Sequence, residues 1–167
     1  KLAKEADPED IATRLSLGEA YIAKGDRDQA ITEWKELLVK APNTADALYN
    51  LGLAAAQEGK SDEAIALFDQ TLAVDPKYLP AITNKGVQYY LEGRLQDSLL
   101  EWEKVLQIDQ RHKQALGNIV EIHLAQGQLE DAKRRLDHAL DVHPSEARYH
   151  YLKGAIALKK RQIKETL

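Results

Sequence analysis

The sequence repeats itself every 34 residues, and this period constrains the fold more than any other feature. Gly18, Gly52 and Gly86 are spaced by 34 residues, and Pro42 and Pro76 keep the same spacing. A fixed period in this range is typical of solenoids, in which each supersecondary element buries its apolar face only by stacking on its neighbours. The chain is therefore expected to be an array of such elements.

The repeats begin at residues 11, 45, 79 and 113, and a further one begins at 147. We number the positions of each repeat from 1 to 34. Eight of the nine glycines then fall at positions 8 and 15, and only Gly117 lies elsewhere. Position 32 holds Pro42, Pro76, Gln110 and Pro144. Each repeat therefore carries two fixed points at which the chain can turn.

Between these points the apolar residues have helical spacing. In the second repeat they occupy positions 4, 7 and 11 of the first half and positions 20, 21, 24 and 28 of the second half. The glycine at position 15 follows the first helix, where a left-handed residue is favourable. The proline at position 32 ends the second helix, because the residue before a proline avoids the α region. The pattern of residues in each repeat therefore predicts two helices.

These residues resemble the tetratricopeptide repeat (TPR) family, whose pattern has Leu at position 7, Gly at 8, Tyr at 11, Ala at 20, an aromatic residue at 24, Ala at 27 and Pro at 32. Tyr21 and Tyr89 match position 11, while Trp34, Phe68 and Trp102 match position 24. The resemblance covers nearly the whole chain. It implies an all-α fold, an α-solenoid in which antiparallel helix pairs form a right-handed superhelix.

We expect a single TPR domain over residues 1–167 with about four full repeats. These are 11–44, 45–78, 79–112 and 113–146, with a partial repeat at 1–10 and a partial or capping repeat at 147–167. Lys1 to Glu5 would be the tail of an earlier second helix, and Ile163 to Leu167 would begin the partner of the last helix. Arg161 replaces the turn glycine, however, so that helix could instead run straight on.

Bulk composition excludes several classes of function. With 44% hydrophobic and 30% charged residues and a net charge of −4, the chain suits a soluble protein and lacks the basic stripe of a nucleic-acid binder. No apolar segment is long enough to insert in a membrane, and the N-terminus is unlike a signal peptide. The absence of cysteine excludes disulfides but does not separate cytoplasm from periplasm. With no methionine, we expect a processed or trimmed chain.

No catalytic or metal-binding motif is recognisable. The five histidines form no ligand set, and there is no His-Glu-x-x-His, phosphate-binding glycine loop or nucleophile elbow. We therefore expect that the protein is not an enzyme and that it binds no cofactor and no metal. Lys159, Lys160, Arg161 and Lys164 are interpreted as the polar end of the solenoid, with a basic anchor for a membrane or an acidic partner as the alternative.

The resemblance also predicts where a ligand would bind. In TPR arrays the first helices line a concave groove through positions 2, 5, 6, 9, 12 and 13. Position 6 holds Asn50, Asn84 and Asn118, which are three of the four asparagines. An amide donates and accepts hydrogen bonds at once, which suits the backbone of an extended peptide. Such an asparagine ladder resembles the groove of O-linked N-acetylglucosamine transferases. Alternatively, the asparagines are only the residue usual at this position in the family.

The predicted peptide-binding residues are these asparagines together with Tyr49, Leu53, Val87, Tyr90, Glu121 and Arg148. The apolar members could equally pack against their own neighbours. The first functional hypothesis is a scaffold that binds an extended or helical segment of another protein in the groove. The second is a structural module that associates with itself through its terminal faces.

Overall fold

The fold is all-α over the part of the chain that the structure describes. A computed structural model describes residues 8–166, with side chains from 9 to 165, and its regular secondary structure in that range is helical. Lys1 to Glu5 lie outside the described residues. The helices are α1 (Pro8–Lys24), α2 (Arg27–Lys40), α3 (Ala45–Gln57), α4 (Ser61–Val74), α5 (Leu79–Leu91), α6 (Leu95–Ile108), α7 (Lys113–Ala125), α8 (Leu129–Val142) and α9 (Ala147–Thr166).

The helix boundaries follow the sequence period. Helices α3, α5, α7 and α9 begin at residues 45, 79, 113 and 147, which are the first positions of the repeats. A glycine with positive φ follows the first helix of each of the four full repeats. The φ angles are 86° at Gly25, 73° at Gly59, 74° at Gly93 and 73° at Gly127. A residue with a Cβ atom is strained in that region. The turns predicted at Gly59 and Gly93 are therefore confirmed.

The turn between repeats does not depend on proline. Ala41, which precedes Pro42, lies outside the α region, with φ of −133° and ψ of 76°. At the next two turns an aspartate supplies a further constraint, because Oδ1 of Asp75 accepts from the Lys77 N–H and Oδ1 of Asp109 accepts from the Arg111 N–H, both at 2.9 Å. The turn at Asp109 forms although position 32 holds Gln110 and not a proline.

The chain divides into two compact units, Lys1–Gln88 and Tyr89–Leu167, and the boundary falls within α5. In the first unit Gly18 and Gly52, at position 8, lie directly under the aromatic rings at position 24 of their own repeats. A Cβ atom at Gly52 would lie 2.6 Å from Cε1 of Phe68, and one at Gly18 would lie 2.2 Å from Nε1 of Trp34. Phe68 is 0% exposed and Trp34 is 3% exposed. The two helices of each of these pairs are therefore in close contact.

In the second unit the core lies between α7, α8 and α9. It is formed by Leu116, Val120, Ala132, Leu136, Ala139, Tyr149, Leu152 and Ile156. Tyr149 is fully buried and donates a 2.8 Å hydrogen bond to the backbone carbonyl of Lys113. Its burial, with a smaller contribution from Glu146, raises the pKa of the phenol to about 12. Tyr149 therefore joins the start of α9 to the start of α7.

Helix α9 runs without interruption from Ala147 to Thr166, past Arg161. The continuous helix is the outcome that the missing glycine predicts, and the alternative of a partner helix starting at Ile163 is wrong over the described residues. Among the described residues no second helix covers the position-8 glycine of this repeat, and a Cβ atom at Gly154 would meet no atom within 4 Å. Tyr151 and Leu158, which are 74% and 59% exposed, lie one turn to either side of Gly154. We call Tyr151, Gly154 and Leu158 the open stripe of α9.

Candidate functional site

The candidate site is the surface formed by positions 2, 5, 6, 9, 12 and 13 of the first helices, here called the first-helix face. In the first unit it lies on α1, α3 and α5 as far as Gln88; in the second it lies on the end of α5, on α7 and on α9. The face of each unit is described separately. In both units, hydrogen bonds within the chain already involve predicted ligand-binding groups.

Asn84 contacts another predicted site residue in the first unit. Its Nδ2 donates a 2.9 Å hydrogen bond to the phenol oxygen of Tyr49, between α5 and α3. Tyr49 also packs against Tyr78, with ring centroids 5.1 Å apart and planes tilted by 48°. Burial raises the pKa of Tyr49, and the hydrogen bond from Asn84 opposes that rise. The phenol is therefore neutral at physiological pH and acts as an acceptor toward Asn84.

Tyr78, in the turn before α5, extends this arrangement to an acidic residue. Its hydroxyl donates a 2.6 Å hydrogen bond to Oδ1 of Asp46, at position 2 of its repeat. Burial is the main cause that raises the pKa of Tyr78, and the neighbouring Asp46 raises it further. Two tyrosines, an aspartate and an asparagine thus form one connected polar group on this face. Tyr78 was missed from the sequence because it lies in a turn and has no counterpart at the other repeats.

Asn50, the first of the three asparagines, borders a pocket of about 160 Å³ between α1 and α3. The pocket is lined by Glu19, Ile22, Trp34, Asn50, Leu53, Ala54 and Gln57. Gln57 Oε1 accepts a hydrogen bond from Arg27. Among side chains 9–165, neither Asn50 nor Glu19 has a hydrogen-bond or ion-pair partner. We call this cavity the α1–α3 pocket.

Apolar side chains also contribute to the face in the first unit. Leu53 is half-buried, and it packs with Tyr49 against the core around Phe68. Val87 is also half-buried. Ile22, at the edge of the α1–α3 pocket, is 43% exposed. Leu53 therefore both lines the α1–α3 pocket and supports the core.

In the second unit Arg148 occupies the centre of the predicted site. From α9 its guanidinium donates a 2.6 Å hydrogen bond to Oδ1 of Asn118 and one of 3.1 Å to Oε1 of Glu121. The side chains of Arg148 and Glu121 are each 35% exposed. Three predicted residues, which the sequence treats as separate groove positions, are thus brought together in one charge-assisted cluster.

Gly117 is explained by the same cluster. A Cβ atom there would lie 3.1 Å from Nη1 of Arg148 and 3.3 Å from the ring of Tyr149. Glycine at this position lets the guanidinium lie close to the α7 backbone. Its departure from the glycine pattern was the sequence signal for this contact, but the sequence alone did not identify Arg148 as the neighbour.

Tyr90 packs against a buried aromatic residue of α6 in the second unit. Its ring centroid lies 6.1 Å from that of Trp102, and the tyrosine is half-buried. Leu91, the next residue, is 69% exposed. For Tyr90, packing against its own neighbours therefore accounts for part of the side chain, and the remainder borders the first-helix face.

Two family models for the tetratricopeptide repeat match the sequence, one over residues 15–78 and the other over residues 89–156. The chain belongs to the tetratricopeptide repeat family. The resemblance seen in the sequence is therefore confirmed, and so is the all-α TPR solenoid fold. Proteins with this fold are generally protein-interaction scaffolds and are typically not enzymes.

Solved structures of TPR proteins are similar to this one. A MamA structure aligns with a TM-score of 0.75 at 26% identity, over 86% of this chain and 84% of that one. MamA from Desulfovibrio magneticus RS-1, from its residue 41 to its end, has a TM-score of 0.81 at 22% identity over 97% and 90% of the two chains. A TPR protein from Parabacteroides merdae ATCC 43184 has a TM-score of 0.83 at 19% identity, over 94% and 62%. No curated protein matches this TPR sequence significantly.

Among the described contacts, three of the four basic residues near the end of α9 have a partner within the chain, and for Arg161 that partner is Glu165 of the same helix. Lys159 Nζ donates a 3.0 Å hydrogen bond to the carbonyl of Leu124, in the last turn of α7, where a cation is favourable. Lys160 pairs with Glu130 at 2.7 Å. These contacts favour the polar end of the solenoid over a basic anchor. Within residues 8–166, no helix has the length and apolar character needed to cross a membrane.

Proposed function

We propose that this TPR protein is an interaction scaffold that binds an extended or helical segment of another protein on its first-helix face. One observation carries the proposal. In the first unit, Asn50 and Glu19, whose side chains have no partner among the described residues, border a pocket with apolar walls, on the same face as the exposed Ile22. Apolar side chains beside convergent polar groups are the composition of a peptide-binding site.

The three asparagines retain hydrogen-bonding capacity for a ligand. Among the described contacts, Asn84 uses only Nδ2, so its carbonyl oxygen is left to accept from a backbone N–H. Asn118 uses only Oδ1, so its two N–H groups are left to donate to a backbone carbonyl. Asn50 keeps both. The internal bonds fix the orientation of two of these amides, which lowers the entropy lost when a peptide binds.

The length of the segment follows from helix packing. Neighbouring stacked helices lie about 8–10 Å apart, and an extended chain covers that distance in about three residues. A segment of about ten residues is therefore long enough to contact Asn50, Asn84 and the apolar residues between them. The net charge of −4 makes nucleic acid an unsuitable ligand, so we propose a protein partner. We propose no catalytic role, as is typical of proteins with the TPR fold.

The experiment is a selection from a display library of random peptides about ten residues long, followed by calorimetry with the enriched sequences. Single changes of Asn50 or Asn84 to Ala are expected to weaken binding to the first unit about two- to tenfold, and Asn118→Ala to weaken binding to the second unit by the same factor, because a neutral hydrogen bond contributes about 0.5–1.5 kcal/mol. The triple variant is expected to lose most of the affinity and keep its helical circular dichroism. Gln70→Ala on α4 is the matched control, since it removes an exposed amide from a second helix.

Two outcomes would contradict the proposal. One is a set of enriched peptides whose affinity is the same for the wild type and the triple variant. The other is a set whose affinity falls equally with Gln70→Ala, because the loss would then not depend on the first-helix face.

Self-association is a second candidate function, and the open stripe of α9 favours it. Tyr151 and Leu158 leave a contiguous apolar surface around Gly154 that would suit the end of another copy. Light scattering across a concentration series would then show a mass that rises with concentration, and Tyr151→Lys with Leu158→Lys would abolish the rise. A constant monomer mass up to hundreds of micromolar would contradict this function and leave peptide binding intact.

A further inference from the structure

We propose that the α1–α3 pocket holds a lysine or arginine side chain of the partner segment, with its positive charge bound by Glu19. This inference rests on the proposed binding of a segment to the first-helix face and adds the chemistry of its anchor. The juxtaposition that carries it is a carboxylate and an amide, both without a side-chain partner among the described residues, at the edge of a pocket with apolar walls.

The shape and lining of the pocket suit a long aliphatic stem. Its volume is about 160 Å³. A protein cavity of about 150 Å³ accommodates a benzene-sized group, so there is room for three or four methylene groups. Ile22 and Leu53 form apolar walls, and the buried indole of Trp34 forms the floor. Lysine and arginine bury such stems along apolar surface and keep their charged ends near water.

The polar side chains at the edge of the α1–α3 pocket offer hydrogen-bond acceptors that a ligand could satisfy with a donor. The Glu19 carboxylate accepts only, and Asn50 can turn its carbonyl oxygen toward the pocket. An ammonium or guanidinium group has donors only, so it matches both. The N–H of Trp34 makes no hydrogen bond among the described residues, but its nitrogen lies over Gly18 and is buried. It is therefore not positioned to bind an acidic side chain in the pocket.

The charge on this face also favours a basic occupant. In the first unit the charged residues at first-helix-face positions, among those described, are Glu19 and Asp46, and both are acidic. A purely apolar side chain would take water away from Glu19 without compensation, which is unfavourable for a carboxylate. An acidic side chain would be repelled. A cation keeps the carboxylate paired while its stem fills the apolar volume.

The test uses the selection described above, now run in parallel on the full chain and on its Glu19→Gln variant. We expect the wild type to enrich peptides with lysine or arginine at one fixed position, and Glu19→Gln to lose that preference. Glu63→Gln on α4 is the matched control, because it removes an exposed carboxylate from a second helix. It should enrich the same peptides as the wild type.

Calorimetry on one enriched peptide then measures the interaction between Glu19 and the basic residue of the peptide. Norleucine in place of the basic residue keeps the stem and removes the charge. We expect this change, or Glu19→Gln, to weaken binding about three- to tenfold, as for a partly exposed ion pair. The norleucine peptide should bind the wild type and Glu19→Gln about equally, because the interaction is already lost. Separate lysine and arginine peptides show which head group is preferred.

The outcomes separate this inference from the proposed function. Peptides that depend on the asparagines but have no basic position, or whose basic position is equally favoured by Glu19→Gln, would overturn the inference and leave the binding face in place. A norleucine loss of the same size in wild type and Glu19→Gln would also overturn it. Peptides that are indifferent to the asparagines would overturn the proposed function first. Helical circular dichroism shows that each variant is folded.

Discussion

The side-chain amide of Asn84 donates a 2.9 Å hydrogen bond to the phenol oxygen of Tyr49, which lies 35 residues earlier in the sequence. The bond joins position 6 of one repeat to position 5 of the preceding repeat, so it connects two stacked first helices. A residue predicted as a ligand-binding group is therefore also a contact between repeats. Its role in binding and its role in stability have to be measured separately.

A double-mutant cycle measures the stability role. Asn84→Ala and Tyr49→Phe are each expected to lower the free energy of unfolding by about 0.5–1.5 kcal/mol, because each breaks the same half-buried hydrogen bond. The double variant should lose less than the sum of the two, as expected for residues in contact. Urea denaturation supplies all four values. Asn50→Ala, which breaks no internal bond, should change stability by less than about 0.5 kcal/mol; strictly additive losses would argue against the Asn84–Tyr49 contact.

Two glycines at position 8 should respond to alanine substitution with opposite changes in stability. Gly52→Ala should destabilise the fold by about 1–3 kcal/mol, because the new methyl group collides with the buried ring of Phe68. Gly154→Ala should stabilise α9 by about 0.5–1 kcal/mol, since nothing occupies the space around it and alanine favours helix. Thermal or urea denaturation compares the two. A destabilising Gly154→Ala would mean that the open stripe is covered in solution.

Trp102 should contribute far more to stability than any asparagine of the first-helix face. It is 2% exposed and packs against Tyr90, with ring centroids 6.1 Å apart. Trp102→Ala is expected to cost about 3–5 kcal/mol by leaving a large cavity. Denaturant unfolding followed by circular dichroism gives the value, with Asn118→Ala measured beside it. Similar losses for the two variants would mean that their helical faces are wrongly assigned.

The stability of the second unit should fall at alkaline pH because of Tyr149. Its pKa is about 12 in the folded protein and about 10 in an unfolded chain. Between these values the folded state keeps a proton that the unfolded state has lost, so the free energy of unfolding falls as pH rises. The slope from this group is at most about 1.4 kcal/mol per pH unit. Below about pH 10 the contribution of Tyr149 is constant.

Tyr149→Phe isolates this contribution from other groups that titrate in the same range. At pH 8 the variant should be less stable by about 0.5–1.5 kcal/mol, because the Lys113 carbonyl loses its donor. From about pH 10 to 12 the difference should shrink or change sign, since phenylalanine does not ionise. Urea denaturation at a series of pH values tests this. A difference that stays constant across the range would show that Tyr149 titrates alike in both states.

The helices and turns were predictable because the signals that define them are local. Gly59 and Gly93 lie where a left-handed residue ends a helix, and that requirement is visible in the sequence without any knowledge of distant contacts. The repeat made the prediction stronger, because a weak signal recurs at a fixed spacing. The turn at Gln110 shows the same logic, since the period placed it correctly without a proline.

The site was less predictable because its contacts join positions that do not repeat. The sequence put three asparagines in one phase, but the partner of Asn84 is a tyrosine, that of Asn118 is an arginine, and Asn50 has none among the described side chains. Those differences depend on how far neighbouring side chains reach, as with Arg148 across Gly117. The α1–α3 pocket escaped prediction for a similar reason, because it forms from residues at different positions of two repeats.

Arg161 has a consequence for the direction of the chain at this repeat. The other turns after a first helix, among the described residues, are made at a glycine with positive φ, whereas α9 continues through this arginine to Thr166. Because a residue with a Cβ atom disfavours that backbone conformation, arginine at position 15 keeps the chain on the axis of its first helix, and glycine there would permit the chain to turn back.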